Sequence, residues 1–413
     1  MSDRPAAGGP DVAVTGIGLV TPAGLGVREN WQRVTAGEAT AATDPAFAGL
    51  LTDISCRVPG FDAARELGKR KAWRLDRYTQ LALVAAKEAL ADAGLTPGDW
   101  DGPRVGVVIG NALGGTATFE EQVRNLVVDG AQTVSPMLVP MAAANMVSGY
   151  VAMEFGALGP NLVTATACAS GATALGVARD LLRSGACDVV IAGGTESSLS
   201  PAIVSAFARM GALSRRNDAP EAASRPFDAG RDGFVLAEAA AILVLERPDH
   251  ARARGARVRA CLAGYGASAD AHHATAPDPQ GAGAERAIRA ALADASLTPD
   301  DIDHVNAHGT STALNDVIEA KVVERVFGQH PAVTSTKGVT GHSLGAAGAV
   351  EAAYTVLALE NGVVPPTANL DSLDPEVSVD VVAKAPRHLR MKAALSNSFA
   401  FGGQNAVLVF TTP

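Results

Sequence analysis

Runs of Val, Ile and Ala alternate along this chain with stretches of helical spacing. The strand-like runs fall at 11–18, 104–110, 187–193, 241–246, 257–264 and 405–411, with helical stretches at 77–94, 281–295 and 314–327 between them. This alternation predicts an α/β fold. Two further helical stretches differ in kind: 168–178 carries no charge on any face, and 343–359 carries only Glu351. A helix that is apolar and small all round is buried on every side. Each of the two follows a short strand and a small-residue turn, TATACASG in one case and TSTKGVTGHSLG in the other. The pattern predicts a duplicated arrangement in which both helices share one central layer between two sheets. An N-terminal half, 1–250, and a C-terminal half, 251–413, would meet near RPDHARARGA at 247–256.

Composition narrows the picture. With 413 residues, 47% of them hydrophobic, the chain can bury a large core. Aromatic residues make up only 4% while Gly and Ala abound, so that core must come from close approach of helices and sheets with small side chains. A formal net charge of -9 argues against nucleic acid as the main partner. No run of about 18 apolar residues is free of charges and turn formers, and the opening MSDRPAAGGP is polar rather than signal-like. The expectation is a soluble, cytoplasmic protein with no membrane partner. Cys56, Cys168, Cys187 and Cys261 are widely spaced, without a CxxC pair or a Cys/His metal spacing, so neither disulfides nor zinc is expected.

The chemistry concentrates in three turns. Cys168, in ATACASGA, lies between the strand 161–166 and the first buried helix. A thiol at a helix N-terminus faces free N–H groups, which is expected to lower its pKa and favour the thiolate. Taken alone, a buried Cys is as well explained by packing. His308 follows the strand 302–306 in NAHGTST, and Lys337 and His342 precede the second buried helix in STKGVTGHSLGAAGAVE. A single histidine in such a place is ordinarily a satisfied loop or core residue. Two of them, in Gly/Thr-rich turns beside a similar turn bearing a Cys, point to one site.

A thiolate with two imidazoles suits a two-stage reaction. The thiolate takes an acyl group as a thioester, and two neutral imidazoles donate N–H bonds to a second thioester carbonyl as a malonyl unit loses carbon dioxide. The resulting carbanion attacks the acyl-Cys carbonyl, whose oxyanion needs backbone N–H donors, and NSFAFGGQN at 397–405 offers them. Glu351 is the only acid in its helix, and an unpaired buried carboxylate is costly, so a structural ion pair with Lys337 is expected to fix the loop carrying His342.

At this point the chain resembles the β-ketoacyl-acyl carrier protein synthases, the elongating type and its polyketide relatives. The resemblance rests on TACASGA around Cys168, AGGTES at 192–197, RPFDAGRDGFVLAEAA at 225–240, NAHGTSTALND at 306–316, STKGVTGHSLGAAGAVE at 335–351 and NSFAFGGQN. It runs from GIGLVTPAG at 16–24 to the end of the chain. It implies a five-layered αβαβα thiolase fold and a homodimer, or a heterodimer with a chain-length factor. It also implies Cys168 as acyl acceptor, His308 and His342 in decarboxylation and condensation, and Lys337 in support. The Cys168 and Phe401 amides would form the oxyanion hole, with Phe401 also a gate beside the thiol. Leu113 matches a position lining the acyl pocket, and Thr310 and Thr312 match positions that touch the phosphopantetheine arm of the acyl carrier protein. No other cofactor is implied.

Departures bear on specialisation. Ala400 stands where the family usually has Gly, and its Cβ is expected to restrict the gating loop. Gly338, Val339 and Gln404 also depart from the commoner residues. The acyl pocket is expected to involve Leu113, Met137, Leu138, Met141 and Phe207, partly across a dimer interface. In GKRKAWRLDRY, 68–78, Lys69, Arg70, Lys71 and Arg74 form a basic patch in an acidic protein, suited to docking an acidic carrier protein. His272 and His273 read as loop residues rather than ligands.

Competing assignments are weaker. A degradative thiolase needs a second active-site Cys near the C-terminal end, and the last Cys here is Cys261. The initiating synthases use Cys, His and Asn, whereas this chain has a second His. A non-catalytic chain-length subunit lacks the nucleophile, which Cys168 supplies. The alternative left open is a specialised natural-product enzyme that extends a polyene or polyketide, or cyclises a carrier-bound intermediate with the same three residues.

Overall fold

A computed structural model describes residues 11–413; the polar opening segment 1–10 lies outside the described residues. Strand β1 (Val12–Thr21) is followed by α1 (Arg77–Asp92), β2 (Val105–Gly110), β3 (Asn161–Thr164), α2 (Ser170–Arg183), β4 (Val189–Glu196) and β5 (Ala239–Glu246). Beyond residue 250 come β6 (Ala260–Ala269), α3 (Ala282–Asp294), β7 (His304–Asn306), α4 (Ala313–Phe327), β8 (Ala332–Thr334), α5 (Ala347–Asn361), β9 (Ala393–Ala400) and β10 (Gln404–Thr411).

The strands run in the order β8-β7-β9-β10-β6-β1-β5-β4-β2-β3. β1 is the junction: Val12–Val14 pair with β6, and Ala13–Val20 with β5, both antiparallel. The helices α2 and α5 pack on each other and touch strands on both sides of that junction, so they form a central layer between the two wings of the sheet. α1 covers the outer face of one wing, and α3 and α4 cover that of the other. The result is five layers, α/β/α/β/α.

Small residues make this layering geometrically feasible, and the same device appears in both halves. A Cβ at Gly18 of β1 would fall 1.9 Å from the Ala85 carbonyl oxygen of α1, and one at Gly16 would fall 2.1 Å from that of Ala89. In β6, Gly266 and Gly264 stand in the same relation to Ala287 and Ala291 of α3, at 2.1 and 2.3 Å. At the centre, a Cβ on Gly171 would meet the Ala349 nitrogen at 2.6 Å, and one on Gly348 would meet the Ala172 nitrogen at 2.8 Å. The two buried helices therefore cross at backbone contact, with each glycine facing the other helix.

In α5, every residue from Ala347 to Leu359 is buried. α2 is less uniform than its first turns suggest, because it continues to Arg183 and carries buried Arg179. Arg179 pairs with Asp294 of α3 at 2.6 Å and donates to the Ala263 carbonyl at 2.6 Å, which makes its burial tolerable.

Candidate active site

Three turns at the ends of strands bring the singled-out residues together. Cys168 sits in a 3-10 turn, Ala167–Ala169, entered through Ala167 at φ 47. That left-handed backbone is unfavourable for alanine, and the Ser170 hydroxyl secures it by accepting the Thr166 amide at 2.9 Å and donating to the Ala167 carbonyl at 2.7 Å. The corresponding turn before α5 has the same feature, with Leu344 at φ 46. His342 is fixed just upstream, its amide donating to the Val235 carbonyl at 2.8 Å and its carbonyl accepting from Ala237 at 3.0 Å. His308 ends the β7 turn, where Glu319 of α4 accepts the His308 amide at 2.8 Å and the Gly309 amide at 2.7 Å.

The His342 Nε2 lies 3.1 Å from the Cys168 Sγ. The His308 and His342 rings are perpendicular, with centroids 5.4 Å apart. Phe234 and Phe399 edge against them, leaving an apolar enclosure. Burial, reinforced by the nearby Lys337 charge, holds both imidazoles well below their usual pKa, so both are neutral. The thiol departs from expectation. Burial pushes Cys168 up to about 11, although the Lys337 charge and the Phe401 amide, which donates to the sulfur, pull the other way. In this enclosed site desolvation outweighs the helix N-terminus, and His342 is the group placed to take the proton.

Lys337 is nearly inaccessible, and its ammonium ion-pairs with Glu351 and donates to the His308 carbonyl at 2.6 Å. It also lies 3.4 Å from His308 Nδ1. An ammonium only donates, so Nδ1 accepts and the ring hydrogen is on Nε2. Burial raises Glu351 to about 7, with Lys337 opposing that rise. The lysine thus bears on His308 directly, a contact that the loop argument from sequence did not include.

A cavity of about 410 Å³ opens over the thiol, lined among others by Leu113, Phe207, Thr310, Thr312, Ala400 and Phe401. The Thr310 and Thr312 hydroxyls bond each other at 2.9 Å. Ala400 has extended backbone, φ −111 and ψ 159, which any residue adopts, so its Cβ brings no strain in this conformation. The left-handed positions are Gly402 at φ 78 and Gly403 at φ 67, both of which remain glycine. Leu113 also lines a second cavity of about 430 Å³ with Thr116, Phe119, Val123 and Ile203. Leu138 lines neither cavity, and nor do Met137 and Met141; Leu138 opens a short helix, Leu138–Ala142, whose last residue reaches the second cavity.

Lys69, Arg70 and Arg74 are exposed on and just after a one-turn helix, while Lys71 is half-buried and ion-paired with Glu154; none of the four lines the thiol cavity. Sequence reasoning missed Glu319, whose carboxylate also accepts the Asn397 amide group at 3.0 Å, and Asp316, which accepts the Phe227 amide at 2.9 Å. The signal was the three-residue spacing of two acids on α4, which puts both on its buried face.

Sγ of Cys168 and a nitrogen of each histidine lie within 4.8 Å of one another, a donor set of the zinc-binding type. Lys337 is close enough to depress both histidines, and the same charge opposes a divalent cation at this point. The chemistry therefore fits a nucleophile facing two N–H donors better than a metal centre.

Comparison with known proteins agrees with this geometry. The family profile described as the N-terminal domain of beta-ketoacyl synthase matches residues 10–251, and the C-terminal domain profile matches 259–371. The 3-oxoacyl-[acyl-carrier-protein] synthase 2 of Synechocystis sp. is 43% identical over 406 residues, covering 97% of each chain. Among solved structures, the ishigamide ketosynthase/chain length factor is 35% identical with a TM-score of 0.91, over 98% of this chain and 100% of that one. A type II polyketide ketosynthase in complex with its acyl-carrier protein is 33% identical with a TM-score of 0.91, over 98% and 100%. With the matched profiles spanning most of its length and a fold shared with solved ketosynthases, the chain belongs to the β-ketoacyl synthase family.

Proposed function

We propose that this protein lengthens carrier-bound acyl chains by decarboxylative Claisen condensation. The observation that carries the reading is a buried thiol 3.1 Å from a neutral histidine, with a second neutral histidine whose Nε2–H is set by Lys337. Cys168 gives its proton to Nε2 of His342 and attacks an acyl-carrier thioester; the acyl group passes to sulfur, and the carrier departs as a thiolate that takes a proton from solvent, so the hydrogen from Cys168 stays on His342 Nε2. Malonyl-carrier protein then enters, and the Nε2–H groups of His308 and His342 bond its thioester oxygen while the carboxylate departs as carbon dioxide. The enolate carbon attacks the acyl-Cys carbonyl, the Cys168 and Phe401 amides hold the oxyanion, and collapse releases a β-ketoacyl carrier two carbons longer and a thiolate that takes its proton back from His342.

Leu113, Phe207 and Ala400 take the acyl chain, and Thr310 and Thr312 take the phosphopantetheine arm. Lys69, Arg70, Lys71 and Arg74 receive the acidic carrier protein. Residues 1–250 supply the nucleophile and 251–413 supply both histidines. No helix of the described residues is long and apolar enough to cross a membrane; carrier-bound substrates fit a cytoplasmic enzyme. The exposed apolar side chains Phe119, Leu126, Val127, Val128, Val139 and Met153, and the terminal position of β3 in the sheet, fit a second subunit, either another copy or a chain-length partner.

A second reading is favoured by the ketosynthases of specialised pathways among the solved relatives: extension or cyclisation of a polyene or polyketide intermediate. Intact-protein mass spectrometry with acyl-carrier thioesters, with and without malonyl-carrier protein, tests both. An acyl mass on Cys168 followed by a carrier two carbons longer supports elongation. Acylation without extension, even when a chain-length partner is supplied, favours cyclisation. Absence of acylation by every carrier tested overturns the reading.

A further inference from the structure

Glu196, the last residue of β4, is wholly buried, and its partners are a hydroxyl and backbone amides rather than a cation. Its Oε2 accepts the Ala112 amide at 2.8 Å and the Leu113 amide at 3.3 Å, and the Gly345 amide bonds the same carboxyl. Its Oε1 accepts the Ser198 hydroxyl at 2.7 Å. A Cβ at Gly345 would fall 2.5 Å from the Ala112 nitrogen and 2.9 Å from Glu196 Oε2, so the turn after His342 is packed against this segment. Asn111 secures the other side: its Nδ2 donates to the Thr195 carbonyl and its Oδ1 accepts the Gly114 amide, both at 2.6 Å.

The segment held in this way carries Leu113, the one residue among those described that lines both cavities. The first cavity contains Cys168, and the second is walled by Thr116, Phe119, Val123 and Ile203. An acyl chain growing from the thiol toward the second cavity must pass Leu113. A buried carboxyl without a cation is a poor way to stabilise a fold, since desolvation opposes its charged form. Here that carboxyl fixes the backbone of the residue standing between the two chambers.

We propose that Glu196 is a positioning residue for acyl-chain length, holding Leu113 across the junction of the two cavities so that long chains enter the second only at the cost of displacing it. The proposal rests on the reading that Cys168 carries the acyl chain.

The test is acylation of Cys168 by carrier thioesters from four to sixteen carbons, read by intact mass as the ratio of long-chain to short-chain rates. Glu196→Asp draws the carboxylate back by one methylene, away from the Ala112 and Leu113 amides, and is expected to raise that ratio about tenfold, the scale of losing one or two such bonds. Glu196→Gln keeps the side-chain length but is a weaker acceptor, and is expected to shift the ratio about two- to threefold in the same direction while amide hydrogen exchange at Ala112 and Leu113 quickens. Because both substitutions act through Leu113, combining either with Leu113→Ala should add little to the effect of Leu113→Ala alone.

An unchanged length profile, rates lowered equally at all lengths, or effects that multiply with Leu113→Ala would overturn the proposal. If Glu196→Asp does not fold, the Gln variant and its exchange rates decide alone. Failure of the wild type to acylate at all would count against the condensing reading, whereas a wild type that acylates with variants of unchanged profile counts against Glu196.

Discussion

The sulfur of Cys168 and Nε2 of His342 lie 3.1 Å apart although 174 residues separate them in the chain. Each precedes one of the two buried helices, and the turns that hold them pass through matching left-handed residues, Ala167 at φ 47 and Leu344 at φ 46. The crossing of α2 and α5 is therefore what sets the distance between nucleophile and proton acceptor.

This arrangement predicts separable losses. Cys168→Ser should abolish stable acylation, whereas His308→Ala should still acquire an acyl group yet lose about 10²–10³-fold in malonyl decarboxylation, the scale of deleting one oxyanion donor. Mass spectrometry of the acyl-enzyme and carbon dioxide release measure the two steps. Equal losses in both steps for His308→Ala would contradict the division of roles.

The Lys337–Glu351 pair makes a thermodynamic prediction. Lys337→Met leaves a buried carboxylate without its partner and should cost about 3–5 kcal/mol of stability. Lys337→Met combined with Glu351→Leu should recover most of that in denaturant unfolding. Decarboxylation should stay low in the double variant, because no ammonium remains to direct the His308 hydrogen to Nε2. Recovery of activity along with stability would show that the pair serves only the fold.

The pH response of stability can be read from His304, which is buried away from the thiol, bonded through Nδ1 to the Ala332 carbonyl and lowered by burial to about 4. Between about pH 4 and its unfolded value near 6.5, the unfolded chain binds a proton that the folded chain does not. Its contribution is thus fully present above pH 6.5 and lost as pH falls, at about 1.4 kcal/mol per unit through that window. The stability difference between wild type and His304→Phe should narrow by that slope as pH falls from 6.5 to 4. A difference independent of pH would mean that His304 titrates normally in the folded protein.

Much of the architecture was legible because small residues leave little ambiguity. The chargeless run at 168–178 and the single Glu351 in 343–359 implied buried helices, and the turns before them pointed to the residues that the structure brings together. The thiol was harder to read, because a helix N-terminus is visible in sequence whereas the desolvation that outweighs it depends on Phe234, Phe399 and Leu344 closing the site. Glu319 and Glu196 were missed for a related reason. Each holds the backbone amides of a distant turn, and amides carry no residue-type signal. The left-handed torsions of this loop fall at Gly402 and Gly403 rather than at Ala400, a detail that only the backbone shows.

The helix crossing itself gives the last prediction. A methyl group at Gly171 would have to move the backbone nitrogen of Ala349 from 2.6 Å, and one at Gly348 would press on the Ala172 nitrogen at 2.8 Å and the Ser398 hydroxyl at 2.7 Å. Both nitrogens belong to helix backbone, so the helices must separate. Overpacking of this kind costs about 1–3 kcal/mol or more. Because the displacement falls at the helix starts that carry Cys168 and follow His342, activity should drop further than stability. Gly171→Ala and Gly348→Ala should each lower the unfolding midpoint and also slow alkylation of Cys168 in the still-folded protein. A variant that lost stability but kept wild-type alkylation and condensation rates would show that the crossing supports the core without setting the spacing of Cys168 and His342.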